Sequence, residues 1–263
     1  MLSLLRIFRR TIYLSGQGIL RNIGIFEGGF IMPEIVVVDD EEEIADLMSL
    51  YLINAGFEVI TFYDPLEALE FLEDNIPKAL VLDIMMPKID GLNMLTKVRK
   101  KYYYPVILVT AKNEDLDVIE GLMLGGDDYI TKPFNPLELV TRIKTLLRRR
   151  EIYEKLDGKH KMKFQYKDLS MNFETRDCYM NGKKVDLTST EFDILRLLIV
   201  NIGKKLSSEM IYKNITGDDY YNRACNSVAT HIRNLRIKLE DSFEEPQYIK
   251  TIWGEGYIIE KEN

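Results

Sequence analysis

Between Glu34 and Arg149 the chain alternates short β-branched runs with longer stretches whose apolar residues recur at helical spacing, and few folds accept that pattern. Ile35–Val38, Val59–Phe62, Leu80–Leu82, Val106–Val109 and Tyr129–Ile130 read as strands. Ile44–Asn54, Leu66–Glu73, Leu92–Lys101 and Asp115–Leu124 read as the helices between them. Pro136–Arg149 reads as a fifth helix, with proline in its first turn. Strands joined through helices run parallel, and the helices cover both faces of the sheet. Ligands of such an open, doubly wound α/β sheet bind at the C-terminal ends of its strands.

Asp39 and Asp40 close the first strand, Asp83 the third and Thr110 the fourth, and Lys132 follows the fifth. Any one of them alone reads most plainly as a capping or solvent-facing group. Together at one sheet edge they select a chemistry. Three neighbouring carboxylates repel one another unless a cation neutralises them, which implies a divalent ion. All-oxygen ligands, with no His or Cys among them, favour Mg2+ over zinc. An aspartate can act as a nucleophile and become an aspartyl phosphate. Mg2+ would offset the charge of the incoming group, while Lys132 and Thr110 hold its oxygens, one as a point charge and one as a hydroxyl donor.

The net charge of −7 is unevenly spread. Residues 33–150 carry 13 Lys+Arg against 22 Asp+Glu, residues 151–263 carry 18 against 19, and the first 32 carry 4 against 1. An acidic half beside a near-neutral one suggests two tasks, and 263 residues suffice for two ordinary domains. The two cysteines, Cys178 and Cys225, lack zinc-site spacing, and a cytoplasmic setting is expected. Residues 1–32 read as an N-terminal extension interrupted by Arg6, Arg9, Arg10 and Arg21, with no apolar run long enough for a membrane span. Glu27-Gly28-Gly29 can be encoded by a ribosome-binding sequence just upstream of Met32, so a start at Met32 is expected. No membrane partner is expected.

Residues 33–150 thus form the first domain and 151–162 a charged linker containing His160, whose side chain reads as solvated. Residues 163–263 form a second, α+β domain. There Phe164–Tyr166, Leu169–Asn172, Cys178–Met180 and Lys184–Leu187 are short strands, with Asn181-Gly182 as a hairpin turn. Thr188 to Glu191 has capping-box form and opens a helix that buries Phe192, Leu195, Leu198 and Ile199. A second helix starts near Ser207. The third, from about Asn222 to Glu240, has a core stripe of Val228, Ile232, Leu235 and Leu239. Asn226, Thr230, Arg233 and Asn234 fall on its other side, flanked by Ser227, His231 and Arg236. From Asn222 to Leu239 there is no acid, a composition that suits a DNA groove as well as a plain solvated face. Tyr248–Ile252 and Tyr257–Glu260 read as a hairpin around Trp253, which is assigned to the core.

Residues 33–150 resemble a receiver domain, through VVVDDEEE (Val36–Glu43), LDIMMPKIDGL (Leu82–Leu92), LVTAK (Leu108–Lys112) and GGDDYITKPF (Gly125–Phe134). Residues 163–263 resemble the winged-helix effector domain of OmpR/PhoB-type response regulators, through LTSTEFDILRLL, HIRNLRIKL and YIKTIWGEGY. The resemblance implies that Asp83 accepts a phosphoryl group from a partner histidine kinase and loses it slowly. It implies Mg2+ on Asp40, Asp83 and the Met85 carbonyl, with Asp39 assisting through water, and a switch through Thr110 and Tyr129. It also implies a cis Lys132–Pro133 peptide. A homodimer formed on phosphorylation would use Leu122, Leu139 and Val140 with the pairs Asp128–Arg142 and Asp127–Arg149, while Val118 stands where relatives carry a basic residue. The dimer would bind double-stranded DNA in tandem half-sites through Asn226, Ser227, Thr230, His231, Arg233, Asn234 and Arg236. Asn226 and Asn234 replace arginines common in relatives, so sequence preference does not carry over. Ile211–Arg223 corresponds to the segment that touches RNA polymerase in activators. Two rivals are weighed: a phosphatase, which would need a second aspartate where Met85 stands, and a receiver whose output is protein sequestration.

Overall fold

The computed structural model describes residues 11–13, 20–21, 34–111, 115–155, 163–173, 175–216, 224–242 and 244–261. They fall into two compact units, one of Met1–Asn113 with Tyr129–Val140, the other of Glu114–Asp128 with Thr141–Asn263.

The first unit is built on a seven-stranded sheet. Its strands are β1 (Thr11–Tyr13), β2 (Leu20–Arg21), β3 (Ile35–Val38), β4 (Val59–Phe62), β5 (Ala79–Asp83), β6 (Val106–Ala111) and β7 (Asp128–Lys132), in the order β2-β1-β4-β3-β5-β6-β7. The five strands read from the alternating pattern are all present. β3 pairs parallel with β4 and β5, and β5 with β6. β1 and β2, from within the first 32 residues, add an antiparallel edge against β4 that the pattern did not foretell. Every residue of β3, β4 and β5 is buried, as strands covered on both faces must be. Helices α1 (Glu42–Asn54), α2 (Pro65–Asp74) and α3 (Gly91–Arg99) make the crossovers. Asp64 caps α2 by accepting from Leu66 N–H, and Asp90 caps α3 by accepting from Asn93 N–H. These caps start each helix close to the C-terminal end of the preceding strand.

Helix α4 (Asp115–Met123) lies in the second unit, and α5 (Pro136–Lys155) enters it at Thr141. The helix runs six residues past Arg149, through a stretch read as the start of the linker. Arg, Glu and Lys propagate helices well, and no glycine or proline interrupts before Gly158. His160 lies outside the described residues. Four antiparallel strands follow, β8 (Lys163–Tyr166), β9 (Leu169–Asn172), β10 (Asp177–Met180) and β11 (Lys183–Val185). Asn181 and Gly182, at φ 51° and 76°, turn β10 into β11.

The helices α6 (Ser189–Val200), α7 (Ser208–Thr216) and α8 (Ala224–Lys238) enclose a core with Leu169, Phe192, Leu195, Ile211, Ile232 and Leu235. The capping box at Thr188 is complete: its hydroxyl accepts from Glu191 N–H, and Glu191 accepts from Thr188 N–H. The hairpin β12 (Lys250–Ile252) and β13 (Gly256–Ile258) closes the unit. A side chain at Gly256 (φ 130°) would put its Cβ 2.0 Å from the Leu206 carbonyl oxygen, so only glycine lets β13 approach that strand-like segment. Trp253 is not in the core. It stands at the hairpin tip, 92% exposed, because the turn through Gly254 leaves it no partner surface within the unit.

Candidate functional site

At the C-terminal edge of the parallel sheet, Asp39 follows β3 and Asp83 ends β5. Both are buried, at 0% and 2% exposure, and Asp40 is half-buried beside them. One carboxylate oxygen from each lies within 4.8 Å of the others. Lys132, the last residue of β7, reaches into the cluster, its Nζ 2.9 Å from Asp39, 2.9 Å from Asp83 and 3.0 Å from Glu41. Four carboxylates thus face one ammonium. Burial raises the Asp83 carboxyl to about 6, against the pull of Lys132 and with a push from Asp39. Burial also raises Asp39. Lys132 loses from burial but is held charged by its hydrogen bonds to Asp83 and Asp39, which drive its pKa up. A site with this excess of buried negative charge and only oxygen ligands is suited to a hard divalent cation.

Thr110, in β6, is 1% exposed, and its hydroxyl donates to the Ala111 carbonyl at 3.4 Å. Tyr129 is half-buried in β7, and Met85 is exposed. The Lys132–Pro133 peptide is cis, as expected. Two residues of this site escaped the sequence reading. Glu41 shares Lys132, a role that only the fold could assign among three consecutive glutamates. Gly91 lies so close to the acidic loop that a Cβ there would sit 2.1 Å from the Asp83 carbonyl oxygen. Its place in the Ile-Asp-Gly-Leu run of the motif was the available signal.

In the second unit the expected DNA-facing residues of α8 take three different situations. Arg233 is exposed and sets Nη1 3.4 Å from the Met123 sulfur. Ser227, Thr230, His231 and Asn234 are buried, at 6%, 8%, 2% and 6% exposure. Helix α8 packs against α4, so part of a face read as open to a groove is closed here. Asn234 Nδ2 donates to the carbonyls of Leu122 (3.0 Å) and Met123 (3.4 Å), the last turn of α4. Arg236 holds the hairpin instead: Nε and Nη2 donate to the Ile249 carbonyl (3.1 and 2.6 Å) and Nη2 to the Thr251 hydroxyl (2.8 Å). The side chain of Asn226 lies outside the described residues.

The residues expected at a dimer face are likewise engaged. Asp128 and Arg142 form a 2.8 Å pair, and the same guanidinium lies 3.4 Å from the Tyr212 hydroxyl. Burial disfavours the Arg142 charge, but Asp128 outweighs it and raises the pKa. Asp127 accepts from Thr190 N–H at 2.8 Å, and its carbonyl from the Thr190 hydroxyl at 3.1 Å. Leu122, Leu139 and Val140 are buried, Val118 is half-buried, and the Arg149 side chain lies outside the described residues. Thr190 was missed, since nothing in a capping-box sequence tells that its second residue will meet an aspartate from far up the chain.

A parallel sheet with this acidic edge, followed by a three-helix unit with a C-terminal hairpin, defines a response regulator of the OmpR/PhoB type, and the chain belongs to that family. Residues 35–144 match the response regulator receiver domain, and residues 182–259 match the C-terminal domain of transcriptional regulatory proteins. The chain is 45% identical over 228 residues to the regulatory protein VanR of Enterococcus faecium, covering 87% of this chain and 99% of VanR. It is 46% identical over 229 residues to the regulatory protein VanRc of Enterococcus gallinarum, with the same coverage. Among solved structures, a RitR mutant matches with a TM-score of 0.68 at 25% identity, over 88% of this chain and 100% of that one. The protein is therefore a two-component regulator of transcription, with a histidine kinase and DNA as the partners its class implies. Among the described residues no helix is long and apolar enough to cross a membrane.

Proposed function

We propose that Asp83 is the phosphoryl acceptor and that its modification controls how α8 meets DNA. The carrying observation is a buried Asp83 carboxylate whose oxygen lies 2.9 Å from Lys132 Nζ at the edge where Asp39 and Asp40 converge. An Asp83 oxygen attacks the phosphorus of a kinase phosphohistidine; the new O–P bond forms as the P–N bond breaks, and the imidazole leaves with the bond's electrons. Lys132 draws one phosphoryl oxygen toward its ammonium, and the Thr110 hydroxyl turns from the Ala111 carbonyl to donate to another. Asp39, Asp40, Asp83 and the Met85 carbonyl fit Mg2+, which when bound supplies charge neutralisation at the acceptor. Hydrolysis of the acyl phosphate resets the protein slowly, without making it an enzyme with an external substrate.

Tyr129 and Thr110 would carry the change to α4 and β7. The phosphorylated protein would dimerise through the face holding Leu122, Leu139, Val140, Asp127, Asp128, Arg142 and Arg149. Two copies of α8 would then enter successive major grooves, with Arg233 and the Asn side chains as readers. These steps belong in the cytoplasm. A contact with RNA polymerase would fall to the segment Ile211–Arg223, in which Lys213 and Asn214 are exposed while Ile211 and Tyr212 are buried in the core. The decisive experiment incubates wild type and Asp83→Asn with phosphoramidate and Mg2+ and weighs the intact proteins. Wild type gains one phosphoryl group and the variant none; equal gain by both would remove Asp83 from the role.

A further inference from the structure

Lys132 is fully committed in this structure, and one of its three partners stands apart from the other two. An ammonium has three N–H groups. Three carboxylate oxygens lie around Nζ, from Asp39 and Asp83 at 2.9 Å and from Glu41 at 3.0 Å. A phosphoryl oxygen arriving at Asp83 therefore finds no free N–H on Lys132 unless a carboxylate gives one up. Asp39 and Asp83 are buried, so either of them, once released, would be a charge with neither water nor a cation. The Glu41 side chain is 60% exposed, and its carboxylate on release passes into water. Its place in the chain points the same way. Glu41 is the N-cap residue of α1, where a short side chain such as aspartate would accept from the first N–H groups of the helix, yet its own side chain makes no such bond. The Glu41 carboxylate accepts from Lys132 instead, while the Glu41 N–H donates to Asp39 at 3.0 Å and fixes the backbone beside the cluster.

We infer that Glu41 is a positioning residue that holds Lys132 at rest and is displaced by the phosphoryl group, so that it sets the rate at which Asp83 is modified. Glu41 has this role only with Asp83 as the acceptor proposed above, and what it adds is the contact that must open before that acceptor can use its lysine. Lys132 keeps its place without Glu41, because Asp39 and Asp83 still hold Nζ. The Lys132–Glu41 pair is thus present in the resting protein alone. It stabilises the state before transfer and is gone in the state after it, and an interaction of that kind raises the barrier. The step is an exchange of hydrogen-bond partners: the O–P bond that forms and the P–N bond that breaks are those of the transfer itself, and no proton changes owner. Glu42 and Glu43 lie in the first turn of α1, and among the described residues Lys132 pairs with neither.

Phosphorylation of the full chain by phosphoramidate and Mg2+, followed by intact mass, tests this in wild type, Glu41→Gln, Glu41→Asp and Glu42→Gln. Glutamine takes the charge away from Lys132. Aspartate keeps a charge at the position but is one methylene shorter, and at an N-cap it turns to the N–H groups of α1. Both Glu41 variants should gain the phosphoryl group roughly 2- to 5-fold faster than wild type, as the loss of a largely exposed ion pair allows. Glu42→Gln should match wild type. A faster Glu41→Gln beside an unchanged Glu41→Asp, or a Glu42→Gln as fast as Glu41→Gln, assigns the effect to net charge and overturns the inference alone. Unchanged or slower rates in both Glu41 variants overturn it too. The displacement itself is read in wild type by 13C NMR of the glutamate side-chain carboxyls, with the Glu41 signal assigned through its backbone. On phosphorylation that signal should move to the position of a solvated glutamate, which a merely structural Glu41 would not do. A fixed signal refutes the displacement even where a variant fails to fold. Failure of wild type to gain a phosphoryl group, or a gain that persists in Asp83→Asn, overturns the acceptor reading and the inference with it.

Discussion

The two ends of β7 each carry a polar assembly, and the two differ in what completes them. At the Lys132 end, three carboxylates share one ammonium beside a fourth, Asp40, and the excess negative charge calls for a partner from outside. At the Asp128 end, amide, guanidinium and hydroxyl groups satisfy one another within the chain. The first site is open in its electrostatics and closed in its geometry. The second is the reverse, satisfied as it stands yet held by hydrogen bonds that another partner could replace.

The contrast can be broken first at the acidic end. Lys132→Met leaves Asp39 and Asp83 buried without their cation, and loss of one partner from a buried ion pair costs about 3–5 kcal/mol. Urea denaturation should show that loss, with Mg2+ restoring part of it; an unchanged midpoint without Mg2+ would mean that the carboxylates never depended on Lys132. Gly91→Ala comes next, because the added methyl meets the Asp83 carbonyl oxygen at 2.1 Å and must displace the acidic loop. A cost of about 1–3 kcal/mol is expected for such overpacking, together with slower phosphorylation by phosphoramidate. Retention of both wild-type stability and rate would show that the loop yields freely.

The other end has its own sensitivity to pH. His231 is buried, and neither ring nitrogen has a hydrogen-bond partner among the described residues. Burial lowers its pKa below 6.5, although Glu191 of α6 with Asp127 and Asp128 pulls it upward, while Lys238 adds to the lowering. With a depressed folded pKa, the unfolded chain takes up a proton first as pH falls through 6.5. The stability owed to neutral His231 is therefore present above that pH and lost below it. His231→Phe should flatten the fall in thermal midpoint between pH 6.5 and 5; an identical slope would show that the imidazole does not titrate differently on unfolding. The smallest effect belongs to Trp253. Since it is 92% exposed, Trp253→Ala should change stability by less than about 0.5 kcal/mol, whereas a core tryptophan would cost several times that.

How much was legible from the residues can be judged along the same strand. Asp39, Asp83 and Lys132 could be placed at one edge before any coordinates, because strand ends in a parallel sheet all point one way. The capping box at Thr188 and the hairpin at Asn181-Gly182 were legible for a related reason, as their hydrogen bonds and dihedrals are satisfied within a few residues. Glu41 was not, since three adjacent glutamates differ only in where α1 begins. Trp253 was misread because hydrophobic character states a preference for burial and says nothing of whether a glycine-bounded turn has any surface to bury it against.

The sequence by itself determined the alternation that makes the parallel sheet, the carboxylate-rich edge, and the acid-free helix with one apolar stripe. It could not determine what lies against that helix's other side. Periodicity reports which residues avoid water, but Asn, Ser, Thr and His are satisfied equally by water, by a nucleic acid or by the carbonyls at a helix end. Only the tertiary structure, by bringing Leu122 and Asp127 to Asn234 and Thr190 across many intervening residues, decided that these groups are satisfied within the chain.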